Sequence, residues 1–319
     1  MTWLTWRQHR WDAASALVLL LVLGAVVLLI TIGGGGLLAG IARYCQANSR
    51  GFVPATCGSL PAQYATTFQL QWWWIVVAGT VIPIFVGMFV GAPMVSREVE
   101  NGTHLLIWAQ GITRRRWFLS GLGLLALGAV VGAALLSAVD QGWFDMQRSL
   151  ATAGPLSLWD GFEIGPPVVI AYTLFALALG AAAGAAIRRT VPAMAVTLVA
   201  FIAARVAVAL LARPFYLPPL TARANFTASQ LGTSFGPGLP DPSSDWLVGP
   251  NVLTDAAGHA IPDGGFCVGG SGCYSKVFGI QHYQPAYRFW LFQGIEAAIF
   301  VVLALVLFAL AYRFVMRIR

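Results

Sequence analysis

Long apolar runs alternate with short polar ones along this chain. Six runs approach the ~20 residues that carry a helix across a bilayer core: Ala14–Ile32, Trp73–Val95, Phe118–Val139, Pro166–Ile187, Val191–Leu211 and Trp290–Tyr312. Only Arg188, Arg189 and Thr190 separate the fourth run from the fifth, which predicts a tight helical hairpin. The pattern as a whole predicts an all-α membrane protein of six transmembrane helices, folded as one domain over residues 1–319. Polar positions gather in three places: residues 1–12, 96–117 and 212–289. In the first, Trp3, Trp6 and Trp11 alternate with Arg7, His9 and Arg10. Indole rings and arginines both settle at the headgroup level, so this segment predicts an N-terminal interfacial helix. The apolar run behind it exceeds the 7–15 residues of a cleavable signal core and reads as a span.

Composition agrees with a membrane protein. Hydrophobic residues make up 58% and charged residues 10%, against about 25% charged in a soluble domain. Placing both termini in the cytoplasm gives that side eleven arginines against Asp12, Glu98 and Glu100, a net charge of +8. The outer side then carries seven cations against eight acids, a net charge of −1. The positive-inside rule therefore selects a multi-pass chain with its N- and C-termini cytoplasmic. This asymmetry accounts for the basic pI without a nucleic-acid partner. Cys45 and Cys57 fall in the first outer loop, Cys267 and Cys273 in the last. All four thus lie on the oxidising side, where two disulfides, Cys45–Cys57 and Cys267–Cys273, are the economical reading. Four cysteines allow three connectivities, bridges between the two loops included.

The chain shows no catalytic constellation of its own. Its one lysine, Lys276, stands between Ser275 and Val277, so no G-x-x-x-x-G-K-[ST] phosphate loop is present. If ATP drives this protein, another subunit binds it. His9, His104, His259 and His282 lack metal-ligand spacing, and no H-E-x-x-H or C-x-x-C occurs. Asp241, Asp245, Asp255 and Asp263 leave open a membrane enzyme with an outer-loop site, although aspartates in such company usually make turns. A non-transporting membrane sensor is a second alternative. The Pro-, Gly- and aromatic-rich segment 212–289 predicts a compact, irregular extracytoplasmic cap. Two ionisable residues, Arg205 and Glu296, fall well inside spans. Fourteen residues of helix carry Arg205 roughly 21 Å from the cytoplasmic side of a ~30 Å core. Six residues carry Glu296 about 9 Å in from the outer side. The two opposite charges reach one depth, which predicts an intramembrane ion pair.

Segment 96–117 is the densest in charge on the cytoplasmic side. The pattern Arg97-Glu98-x-Glu100-x-Gly102-Thr103 follows the second span and precedes a basic stretch, Thr113-Arg114-Arg115-Arg116-Trp117. Together with the opening Thr5-Trp6-Arg7-Gln8-His9-Arg10, it resembles the permeases of type-2 ABC exporters of the actinobacterial kind. The resemblance implies a transmembrane permease that forms the substrate path and couples to a separate ATPase subunit, which holds the ATP and Mg. This chain would then carry no cofactor and hydrolyse nothing. It implies a cell-membrane complex with a second permease copy, set among membrane lipid. An apolar path favours an amphipathic drug, peptide or lipid. Arg97, Glu98, Glu100, Asn101, Gly102, Thr103 and His104 would form the coupling loop. The long outer loop with its second cysteine pair departs from that family's pattern. Gly87/Gly91, Gly128/Gly132 and Gly180/Gly184 are small-xxx-small pairs that permit close helix contact, within one chain or between two.

Overall fold

The structure, a computed structural model, describes residues 79, 81–103, 113–150, 157–226, 238–241, 244–261 and 277–317. The interfacial segment 1–12, the first apolar run, His104 and all four cysteines lie outside the described residues. Among the described residues, five helical stretches are long and apolar enough to cross a membrane: Val81–Glu100, Arg114–Asp145, Leu158–Ile187, Thr190–Phe215 and Ala286–Met316. They correspond to the second through sixth apolar runs. We label the helices α1 (Val81–Glu100), α2 (Arg114–Leu150), α3 (Pro166–Ile187), α4 (Thr190–Ala207) and α5 (Phe289–Met316).

α3 is the central post. It is apolar around its whole circumference and buried along its length, as expected of a helix with no polar stripe. Alanines and glycines let its neighbours come close. A Cβ on Gly87 would lie 2.6 Å from the Ala176 carbonyl oxygen, and one on Gly91 would lie 2.6 Å from that of Leu177. Reciprocally, Gly180 faces the Gly87 carbonyl and Gly184 the Ala92 carbonyl. Two of the three glycine pairs thus close a single seam between α1 and α3. Gly128 on α2 has nothing within 4 Å of its Cβ position.

Proline explains the local geometry of α1 and α4. Its ring clashes with the carbonyl four residues back and it lacks an N–H, so the preceding turn must widen or break. α1 widens into π-type turns over Val86–Gly91, ahead of Pro93. α4 is continued by π-type turns over Val208–Ala212, ahead of Pro214. The α3–α4 connection is as tight as expected: Arg188, at φ 61°, ends α3 with its N–H on the Gly184 carbonyl, and α4 starts at Thr190.

The all-α expectation needs one correction. The segment between α4 and α5 holds, among the described residues, a three-stranded antiparallel sheet in the order β1-β3-β2, with β1 Leu220–Phe226, β2 Trp246–Thr254 and β3 Val277–Gln284. Central β3 buries alternate residues, as a strand packed on one face does. β2 carries an irregularity between Val248 and Val252, where Gly249 adopts φ +76°. The sheet is held to the helices by side chains reaching across: Gln284 Nε2 donates to the Leu217 carbonyl at 2.8 Å, and Arg288 Nη1 to that of Pro218 at 2.9 Å. Beneath it, Trp159, Trp246, Phe289 and Phe292 pack ring on ring at centroid distances of 5.3–6.1 Å.

Candidate functional site

The most concentrated chemistry lies at the end of the bundle next to the sheet, around the Glu296 carboxylate on α5. Glu296 is wholly buried. It accepts hydrogen bonds from Tyr172 Oη at 2.5 Å, Arg205 Nη1 at 3.2 Å, Arg213 Nε and Nη2 at 2.8 and 2.7 Å, and Tyr216 Oη at 3.2 Å. Glu163 closes the cluster, pairing with Arg205 and, at 2.7 Å, with Arg213 Nη2. Two arginines and two glutamates leave it formally neutral. Aromatic faces complete the shell: the Arg205 guanidinium lies 3.6 Å from the Tyr172 ring centroid, and that of Arg213 lies 4.3 Å from Phe162. Buried charges are tolerated only with opposite partners and satisfied hydrogen bonds, and Glu296 has both.

Charge counting assigns Glu163 and Arg213 to the outer loops, yet the fold turns both inward. Each lies within three residues of an apolar run, Glu163 before Pro166 and Arg213 after Leu211. Their nearness to those edges was the available signal. The π-type turns explain how Arg213 joins Arg205. In a regular α-helix, eight residues on is about 80° off the starting face. One extra residue absorbed in the wide turn reduces the offset to about 20°, so both guanidinium groups reach the same carboxylate. Pro214→Ala is expected to let this stretch relax toward regular α-helix and swing Arg213 out of the cluster. Its thermal midpoint in detergent should fall. Pro218→Ala, beyond the widened turns, should leave the midpoint close to wild type.

Above the charges, a cavity of about 310 Å³ opens between Leu158–Ile164 and β2. Its walls include Trp159, Phe162, Trp246, Asp160, Asp245 and Arg213. Asp160 is fixed by a capping box, accepting the Ser157 N–H at 2.9 Å. Asp245 accepts the N–H groups of Ala286 at 3.0 Å and Asp241 at 3.2 Å. Asp255 is elsewhere, in a turn where it accepts the N–H groups of Ala257 and His259. Asp263 lies outside the described residues. Among the described residues no group of His, Cys, Asp and Glu is arranged to hold a metal ion.

The turn after α1 is the other feature of note. α1 runs on to Glu100, Asn101 caps it, and Gly102 turns at φ +70°. Arg97, Glu100, Asn101, Gly102 and Thr103 are exposed. Thr103 Oγ1 donates to the Glu98 carboxylate and, at 3.3 Å, to the Glu98 carbonyl. Glu100 turns toward the α3–α4 connection instead. Its Oε2 accepts both the backbone N–H and the hydroxyl of Thr190, at 2.9 and 2.8 Å. A carboxylate there also suits the positive end of α4. Ser96 Oγ adds a contact to Thr190 Oγ1 at 3.2 Å.

No curated protein and no solved structure matches the chain. A family model described as "ABC-2 membrane transporter related" matches residues 17–213. The match takes in the turn after α1, Glu163, Tyr172, Arg205 and Arg213; β1, β2, β3 and α5 follow it. Five membrane-capable helices among the described residues and a family match over more than half of the chain lead to one conclusion: this multi-pass membrane protein belongs to the ABC-2 membrane transporter related family.

Proposed function

We propose that the chain is the transmembrane subunit of an ATP-driven exporter. It forms the substrate path with a second permease copy and is driven by a separate subunit that binds ATP and Mg. The family match carries this reading, because it runs through the turn at residues 96–103 as well as the spans. The substrate class in keeping with an apolar path is an amphipathic drug, peptide or lipid. The topology that goes with it has both termini in the cytoplasm of a cell-membrane protein. The two cysteine pairs would then be oxidised outside.

In this reading the exposed face of the turn docks on the ATPase. Arg97, Glu98, Asn101, Gly102 and Thr103 offer it, with His104 next in sequence. Glu100 has a different part: it fastens the turn to α4 through Thr190. Glu98→Ala removes the carboxylate that holds Thr103. Glu98 is only half-buried, so stability should change by no more than ~0.5 kcal/mol. Stimulation of the co-purified ATPase, or its capture by the permease, should fall several-fold. Normal assembly and normal transport in Glu98→Ala would remove the turn from the mechanism.

A further inference from the structure

We propose that Asp140 on α2 is a proton-binding site, loaded while α2 is packed on the bundle and emptied when that packing opens. α2 is anchored along one face. Its buried positions Ala129, Ala133, Leu136, Ser137, Trp143 and Phe144 recur every three or four residues, the stripe of a helix that packs on one side. Asp140 falls within that stripe and is wholly buried. Among the described residues, neither of its carboxylate oxygens has a hydrogen-bond partner. Glu296 is equally buried, but two arginines and two tyrosines hold it.

The surroundings supply no counter-charge. On α2, Ser137 Oγ donates to the Ala134 carbonyl at 3.1 Å, and Gln141 Nε2 to Asp145 Oδ1 at 3.3 Å. The next cation on this helix, Arg148, is eight residues on, about 12 Å along the axis. One turn beyond Asp140, Phe144 packs on Gly161, where an added Cβ would lie 2.6 Å from its ring. The titratable groups of Leu158–Ile164 and of α3 are Asp160, Glu163 and Tyr172. Asp160 accepts the Ser157 N–H, and the other two belong to the arginine cluster. Arg205 and Arg213 are engaged there by Glu163 and Glu296. α1 and α5 meet α2 near Gly121 and Phe118, so Arg97 and Arg313 lie at the far end, about 33 Å away along the helix. A buried carboxylate with no partner is so costly that it takes up a proton instead. A metal ion would need several oxygen ligands, and among the described residues no group of acids and histidines offers them. When α2 lifts from its seat, water takes the proton from the carboxyl and hydrates the carboxylate left behind. None of this requires ATP, so the assignment stands apart from the transport reading.

The direct test is infrared spectroscopy of the purified full-length protein, with and without heavy carbon in its aspartate carboxyls. An ordinary aspartate titrates near ~3.9, so a label-sensitive carbonyl band of a protonated acid at about pH 6 marks the site. The band is expected in the wild type and should be missing from Asp140→Asn. Unfolding in mixed micelles gives a second readout. The folded chain keeps a proton that the unfolded chain has released. The unfolding constant of the wild type relative to Asp140→Asn should therefore rise about tenfold per pH unit above about pH 5, until the packed acid ionises too. Absence of the band from the folded wild type, its persistence in Asp140→Asn, or a ratio of unfolding constants that does not change with pH overturns the proposal. If Asp140→Asn does not fold, the presence or absence of the band in the wild type decides.

Discussion

Glu296→Ala is expected to destabilise the protein by about 3–5 kcal/mol, the usual penalty for taking one member from a buried ion pair. The loss is large because Glu296 is wholly buried and serves two arginines and two tyrosines at once. Removing it leaves Arg205 and Arg213 with Glu163 as their remaining acid within the cluster. Arg205→Ala leaves the opposite imbalance. Combining the two restores neutrality around an Arg213–Glu163 pair. The double variant should therefore lose less than the two single losses added together, with a coupling of roughly 0.5–3 kcal/mol. Unfolding of the four proteins in mixed micelles by increasing denaturing detergent measures this directly. Strictly additive losses would show that Arg205 and Glu296 act independently.

Gly180→Ala is expected to be nearly as damaging. The added Cβ would collide with the Gly87 carbonyl oxygen and lie 2.7 Å from the Ala92 nitrogen. Both obstacles are backbone, so no side chain can swing aside. The α1–α3 seam must open, at a cost of about 1–3 kcal/mol or more, and Gly180→Leu should prevent folding. Gly128→Ala is the matched control. Its Cβ enters open space, and alanine's higher helix propensity is worth up to ~1 kcal/mol. Thermal midpoints of the monomer should separate the two variants clearly. Equal midpoints would mean that the seam does not hold these helices.

The spans were the most legible part of the chain because hydropathy reads burial in lipid directly. Their ends were less so. The run Phe118–Val139 belongs to a helix that extends from Arg114 to Leu150, since a helix can continue into water after its apolar stretch stops. The sheet was hidden by composition. β2 contains Gly249 and Pro250, residues that read as turn, and β1 carries Thr221, Arg223 and Asn225 in alternation. That alternation in β1 is a strand period, but it is short and lies in a Pro- and Gly-rich segment, and Val277–Gln284 alternates in burial without alternating in residue type. At the charged cluster, counting residues along two helices put Arg205 and Glu296 at one depth, and in the structure they stand 3.2 Å apart. Glu163, Arg213, Tyr172 and Tyr216 escaped the count. Two sit just beyond apolar runs, and a tyrosine inside or beside a span carries no charge to draw notice. The role of Pro214 in turning Arg213 inward depends on a one-residue change of helical phase, which hydropathy does not register.

The tie between Glu100 and Thr190 makes α4 a lever. Its first residue is gripped by Glu100, at the end of α1. Fifteen residues further on, about 22 Å along a rigid helix, it carries Arg205. A tilt of about 5° at the gripped end moves that guanidinium by about 2 Å. Hydrogen bonds weaken steeply over such a distance, and the Arg205–Glu296 contact starts at 3.2 Å. A rotation of that size is therefore enough to break the Arg205–Glu296 hydrogen bond, leaving Arg213 and the two tyrosines to hold the carboxylate.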